Sequence, residues 1–179
     1  MKFSLSQVKQ ALGEVQTLLH WTFNVSHPPQ GLSFPENLQI RVTTTSTPTS
    51  EIERTQVELG GFTINYTGKV KKSGEIPVTF FEGTDAAVTQ FIMDWMQLQW
   101  GSSSTDTTGK QSATADSKAD ITMQLMGPDD TVTQTYTLIG CLGAMGEGAE
   151  LGQEATAHKP TLKLTYDDYR WGAGESVSM

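Results

Sequence analysis

The chain has 179 residues, a formal charge of −8 and a sequence pI near 4.8, which excludes the extended basic surface that grips nucleic acid by counterion release. A single cysteine, Cys141, excludes an intramolecular disulfide framework and a cysteine-rich metal site. The length fits one domain, 1–179, and the start Met1-Lys2-Phe3-Ser4 lacks a signal peptide's apolar stretch. No run approaches a membrane span, so the expected setting is cytoplasm during synthesis. Abundant threonine with modest aliphatic content suits pleated surfaces and points to a mainly β fold.

Ser4 to Glu14 reads as a short N-terminal helix with Leu5, Val8, Ala11 and Leu12 on one face. From Val15 to His27 the period changes to two, with Trp21, Phe23 and Val25 on one side, and Pro28-Pro29 ends this first strand. Leu38, Ile40 and Val42 alternate ahead of a threonine and serine run closed by Pro48, which predicts a strand running into a loop. Ile52 to Leu59 and Phe62 to Tyr66 alternate around Gly60-Gly61, a turn, a bulge or a close backbone approach. Ser73-Gly74 is a turn signal, and Ile76 to Phe81 is another strand.

One strong amphipathic helix follows, with Thr84 as its expected N-cap and Asp85 at the positive end of its dipole. Val88, Phe91, Ile92, Trp95 and Gln99 or Leu98 recur at helical spacing on the face turned to a sheet. Residues 101–119 are almost wholly small and polar, which predicts a flexible surface loop. Ile121, Met123 and Leu125, then the turn at Gly127-Pro128-Asp129-Asp130, then Val132 to Ile139 form a hairpin. Gly140 to Gly152 is glycine-rich and acidic, a last strand runs from Thr161 to Trp171, and residues 172–179 form a loose tail. The expected architecture is an antiparallel β-sandwich or barrel with one amphipathic helix packed on it and a short N-terminal helix.

Motifs for chemistry are missing. His20, His27 and His158 have no spacing that places two metal ligands on one face. Cys141 has no histidine near it in sequence and reads as a small apolar residue. Asp129-Asp130 suits turn chemistry, and Asp167-Asp168 lacks the alternate oxygen ligands of a calcium loop. Gly140 to Gly146 lacks both GxGxxG and GK[ST], and Glu147 and Glu150 after it would repel a phosphate. No catalytic residue, cofactor or metal site is expected, and Lys69, Lys71 and Lys72 read as a solvated hairpin tip or a partner for acids.

An ordered set of short motifs carries more weight. Glu58-Leu59-Gly60-Gly61-Phe62, then Thr67-Gly68, then Ile76-Pro77-Val78-Thr79-Phe80-Phe81-Glu82-Gly83, then Phe91 and Trp95, resembles the tail tube family of contractile-tailed phages. The closing Leu162-Lys163-Leu164-Thr165-Tyr166-Asp167-Asp168-Tyr169-Arg170-Trp171 is similar to that family's last strand. The chain departs from many relatives at Thr67-Gly68, where they carry Pro-Gly, and at Ile76-Pro77, where they carry an aromatic.

The resemblance implies a structural virion subunit and no enzyme. It implies stacked hexameric rings whose inner strands join into a β-barrel around a channel for DNA, and an acidic wall there would let a polyanion pass without sticking. Implied partners are further copies of the chain, the tail sheath, baseplate and tail terminator proteins, and phage DNA in transit, with no membrane. Tubes of type VI secretion and extracellular contractile injection systems look like the same family and are the nearest alternative. A carboxylate-pair hydrolase and a monomeric decoration module are more distant ones. The hairpin around Gly60-Gly61 is expected to pair with adjacent subunits, with Glu51, Glu53 and Glu58 near one end and Lys69, Lys71 and Lys72 near the other.

Overall fold

The computed structural model describes residues 20–34, 36–72, 74–100, 116–146 and 157–174. The expected helix at 4–14 lies outside these residues, as do 101–115 of the expected loop and 175–179 of the expected tail.

In chain order the elements are β1 (Trp21–His27), helix α1 (Glu36–Ile40), β2 (Val42–Thr45), β3 (Ser50–Leu59), β4 (Phe62–Lys72), β5 (Glu75–Phe80), helix α2 (Ala87–Trp100), β6 (Ala119–Met126), β7 (Val132–Met145), β8 (Thr161–Thr165) and β9 (Asp168–Ala173). Seven strands make one antiparallel sheet in the order β1-β6-β7-β8-β5-β2, with β9 also on β7, while β3 and β4 pair only with each other. β7 belongs to two halves of the sheet. Gln134 to Ile139 pair with β9 and, across the strand, with β6, whereas Leu142 to Met145 pair with β8. Between the two stretches Gly140 takes φ +68°, a left-handed conformation that costs an L side chain strain. A Cβ there would also collide with the Asp167 carboxylate.

The halves close on one core. Phe23 and Val25 of β1, Ile121 and Met123 of β6 and Leu138 of β7 meet Ile76, Val78 and Phe80 of β5 and Leu162 and Leu164 of β8 in a single buried cluster. Alternation puts every second side chain inward, so cross-strand partners such as Phe23 and Met123, or Ile76 and Leu164, enter the core together. The Phe23 and Phe80 rings bridge the halves edge-to-face at 6.3 Å. The sheet stays open, because among the described strands β1 and β2 are each paired on one side only.

Helix α2 seals the core with Val88, Phe91, Ile92 and Trp95, the stripe its spacing predicts. Trp95 is fully buried and its indole N–H donates to the Ser117 carbonyl at 2.8 Å. Its ring lies so close to the β7 backbone that a Cβ on Gly143 would sit 2.6 Å from it. Gln99 adds a side-chain N–H to the Gly143 carbonyl at 2.5 Å.

The helix starts later than its predicted cap at Thr84. Ala86 closes a turn onto Gly83 at 3.1 Å and takes φ +51°, and the Glu82 carboxylate reaches over that turn to accept the amides of Val88 at 3.1 Å and Thr89 at 2.7 Å. Burial works against the Glu82 charge, but the bonds from Thr89 and Val88 prevail and hold the carboxyl below its usual range. Arg41 braces the same turn with a two-pronged bond to Asp85 at 2.8 and 2.7 Å.

Other expectations need correction. Leu38 and Ile40 lie on a helical turn, not a strand: Leu38 is buried, Ile40 is 87% exposed, and the strand begins at Val42. Three alternating apolar residues fit a short helix as well as a strand. The last strand is two strands, because a partner of bent β7 must break where β7 bends, and Asp167 at that break donates its amide to the Ile139 carbonyl at 3.0 Å. The end of the expected 101–119 loop joins the core, with Ser117 buried and Ala119 opening β6, and Gly172 and Ala173 of the expected tail lie in β9.

Trp95→Ala should cost about 3–5 kcal/mol in urea unfolding, while Trp100→Ala, at a position 67% exposed, should stay within about 0.5 kcal/mol. The bond from Arg41 holds Asp85 down to about 2. That carboxylate therefore stabilises the turn above the ordinary carboxylate range and loses its effect as pH falls toward about 2. Arg41→Gln should return Asp85 to the ordinary range in a carboxyl NMR titration.

Candidate functional site: assembly surfaces

The described residues hold no cluster of three or more His, Cys, Asp or Glu side chains that could take a metal ion, and no helix long and apolar enough to cross a membrane. Cys141 is fully buried, and burial, reinforced by Asp120 and Asp167, pushes its thiol up to about 12, far from a nucleophile's range. His20 and His27 lie 3.5 Å from Asp130 and Asp120, at opposite ends of the β1–β6 ladder. Among the described residues, the surfaces with unspent bonding capacity are a hairpin and the borders of β1, β2 and β9.

The hairpin is β3–β4. Gly60 and Gly61, at φ +60° and +81°, form a two-residue turn whose twist suits flanking strands. Ten residues of β3 at about 3.3 Å each give an arm of roughly 30 Å. Leu59 faces Phe62 across the ladder, Val57 faces Ile64 and Thr55 faces Tyr66, so these share one side, while Glu58, Gln56 and Arg54 share the other with Thr63, Asn65 and Thr67. The apolar side is uncovered: Leu59 is 72% and Phe62 74% exposed. An arm this apolar, standing free, is an interaction surface or an aggregation hazard.

The structure redistributes the charges of the expected interface. Lys69, Lys71 and Lys72 lie at the root of the hairpin and not at its tip. Glu51 is the cross-strand partner of Lys71, so it shares the root, Glu53 sits at a bulge against Gly68, and Glu58 alone of the three acids is near the tip. Lys72 anchors the root to the body through an ion pair with Asp168, and its ammonium lies 5.4 Å from the Tyr169 ring centre. The bond from Lys72 holds the Asp168 carboxyl below its usual range.

The second surface is the half-sheet β1-β6-β7-β9. Each pair is antiparallel, and β1 and β9 at its borders have no further described partner. One side of this half is core. The other side carries hydroxyl and amide side chains, with one row running Asn24, Thr122, Thr137, Arg170 across all four strands. Ser26 and Thr122 bond each other on it at 2.6 Å. The charged side chains on this face are Asp120 and Asp168 at one end and Arg170 on β9. Sequence reasoning missed both borders and Arg170, although the alternation of Thr22, Asn24 and Ser26 with apolar residues in β1 was a signal for a polar outer side.

No family model matches the chain. It is 28% identical over 131 residues to a tail tube protein of Serratia phage KSP90, covering 72% of this chain and 71% of that one. Its fold is similar to a chain in the cryo-EM structure of an extracellular contractile injection system's extended sheath–tube complex, with TM-score 0.60, 13% identity and coverage of 96% and 99%. A chain of that system's extended sheath/tube terminator structure gives TM-score 0.62 at 11% identity, with coverage of 90% and 99%.

Because β3 and β4 pair only with each other among the described strands, their amides in the isolated subunit should exchange with solvent faster than those of β6 and β7. Gly61→Val, at φ +81°, should accelerate hairpin exchange further and leave the melting temperature of the body unchanged. Equal protection in both regions would show that the arm is held by the body.

Proposed function

We infer that this chain is a phage tail tube family protein that serves as a structural subunit of a hollow tube. The observation that carries the reading is the half-sheet β1-β6-β7-β9. Four antiparallel strands whose borders have no further partner among the described strands can continue around a ring without interruption, because an even number leaves β9 of one copy antiparallel to β1 of the next. Such a head-to-tail contact is heterologous and closes when its rotation divides a circle. Closure satisfies backbone groups that would otherwise template aggregation.

In the proposed tube six copies make a ring, rings stack, and the polar side of the half-sheet faces the channel through which DNA passes. The hairpin reaches the adjacent ring. Glu51, Glu53, Glu58, Lys69, Lys71 and Lys72 contribute to that contact, and Gly60 and Gly61 shape the arm that makes it. The subunit is non-catalytic. Its further partners are the sheath, baseplate and tail terminator of a virion tail, assembled in the cytoplasm of a host bacterium. Similarity to the Serratia phage protein supports the phage reading. The fold shared with an extracellular contractile injection system supports the alternative that the tube belongs to a secretion or injection machine.

Purified protein should form rings or tubes in electron microscopy. Lys71→Glu with Lys72→Glu should shorten or abolish tubes at low salt while circular dichroism of the subunit is unchanged, and high salt should soften the native contacts. Wild type that stays monomeric at every concentration would refute the tube, and a variant that polymerises like wild type would refute the hairpin contact.

A further inference from the structure

The polar side of the half-sheet carries two carboxylates at one end, Asp120 and Asp168, and one guanidinium, Arg170, on the border strand β9. Its charged residues at one end are already engaged: Asp120 accepts the Gly140 amide at 3.0 Å and lies beside His27, and Asp168 is held by Lys72. Arg170 is different. It is exposed on β9, directly beside Thr137, and its guanidinium makes no hydrogen bond or ion pair with the described residues. Asp168, two residues away on the same side, feels its charge but is bonded to Lys72. In a chain of net charge −8 this face thus presents, among the described residues, a cation without a hydrogen bond or ion pair in a row of Asn24, Thr122 and Thr137.

We propose that Arg170, with the hydroxyl and amide row beside it, is a phosphate-contact site that a passing polyanion touches on the channel wall. The site takes phosphodiesters through the planar fork of the guanidinium, which matches two phosphate oxygens, while Thr137 offers a hydroxyl donor beside it. The inference rests on the tube reading, which turns this face inward and repeats Arg170 around each ring. One exposed contact per subunit is weak, and the Asp168 carboxylate two residues away on the same side adds no second positive charge to hold the same phosphate. Contacts of that kind centre a polyanion and let it slide. The wall is thereby neither an acidic repellent nor a basic trap.

The test uses assembled tubes, verified by electron microscopy, and a short fluorescent DNA duplex that co-sediments with them. Wild-type tubes should retain the duplex at roughly 50 mM salt and release it by roughly 200 mM, as counterion release requires. Arg170→Gln should abolish retention at the lower salt. Thr137→Arg should raise retention several-fold and Thr137→Glu should abolish it, and these two decide the matter if the change at the β9 border impairs assembly. Lys163→Gln, on the other half of the sheet, should retain the duplex like wild type. Intact tubes in which Arg170→Gln retains as much as wild type, or in which neither Thr137 variant moves retention, would overturn the site and leave the tube standing. Absence of tubes from the wild type would instead overturn the tube reading.

Discussion

The bend of β7 at Gly140 is the constraint on which the other elements depend. One strand can serve two half-sheets only if its backbone turns between them. The left-handed residue at Gly140 makes that turn, with its amide donated to the Asp120 carboxylate at 3.0 Å. The bend splits the closing strand into β8 and β9, which occupy successive stretches of the same border of β7. It also sets the second half of β7 under helix α2, where the Gly143 backbone receives the Trp95 ring. A side chain at Gly143 would displace the buried Trp95 ring, and one at Gly140 would collide with the Asp167 carboxylate.

Having two half-sheets on one strand separates stability from assembly. The core lies between the halves and beneath α2, and its large side chains are almost fully buried. The polar side of β1-β6-β7-β9 and the hairpin contribute little to that core, so their surfaces can be shaped by what they touch in a larger structure. The hairpin's apolar side is exposed, and the borders of β1 and β9 have no further partner among the described strands. Proteins rarely leave such features bare unless a second copy covers them.

Long periodic segments were legible in the sequence. The stripe Val88, Phe91, Ile92, Trp95 gave helix α2, and Gly60-Gly61 between alternating runs gave the hairpin, because each pattern is repeated often enough to exclude the other period. Leu38-Ile40-Val42 failed because three residues cannot do so. The Glu82 cap was hidden because its carboxylate reaches across a turn that no local motif announces. The break between Thr165 and Asp168 follows from a bend in another strand, so it has no signature in its own residues. The candidate surface was partly legible: the hairpin residues could be named, but the pairing of Glu51 with Lys71 required the register. Arg170 could not be singled out, since its meaning lies in the row formed with Asn24, Thr122 and Thr137 from three distant strands.

The decisive measurement is cryo-electron microscopy of the assembled protein at a resolution that separates strands. It should show a continuous antiparallel wall in which β9 of one copy lies beside β1 of the next, with Thr122 and Arg170 toward the axis. Rings joined through other borders, or a wall with Thr122 and Arg170 facing outward, would contradict it.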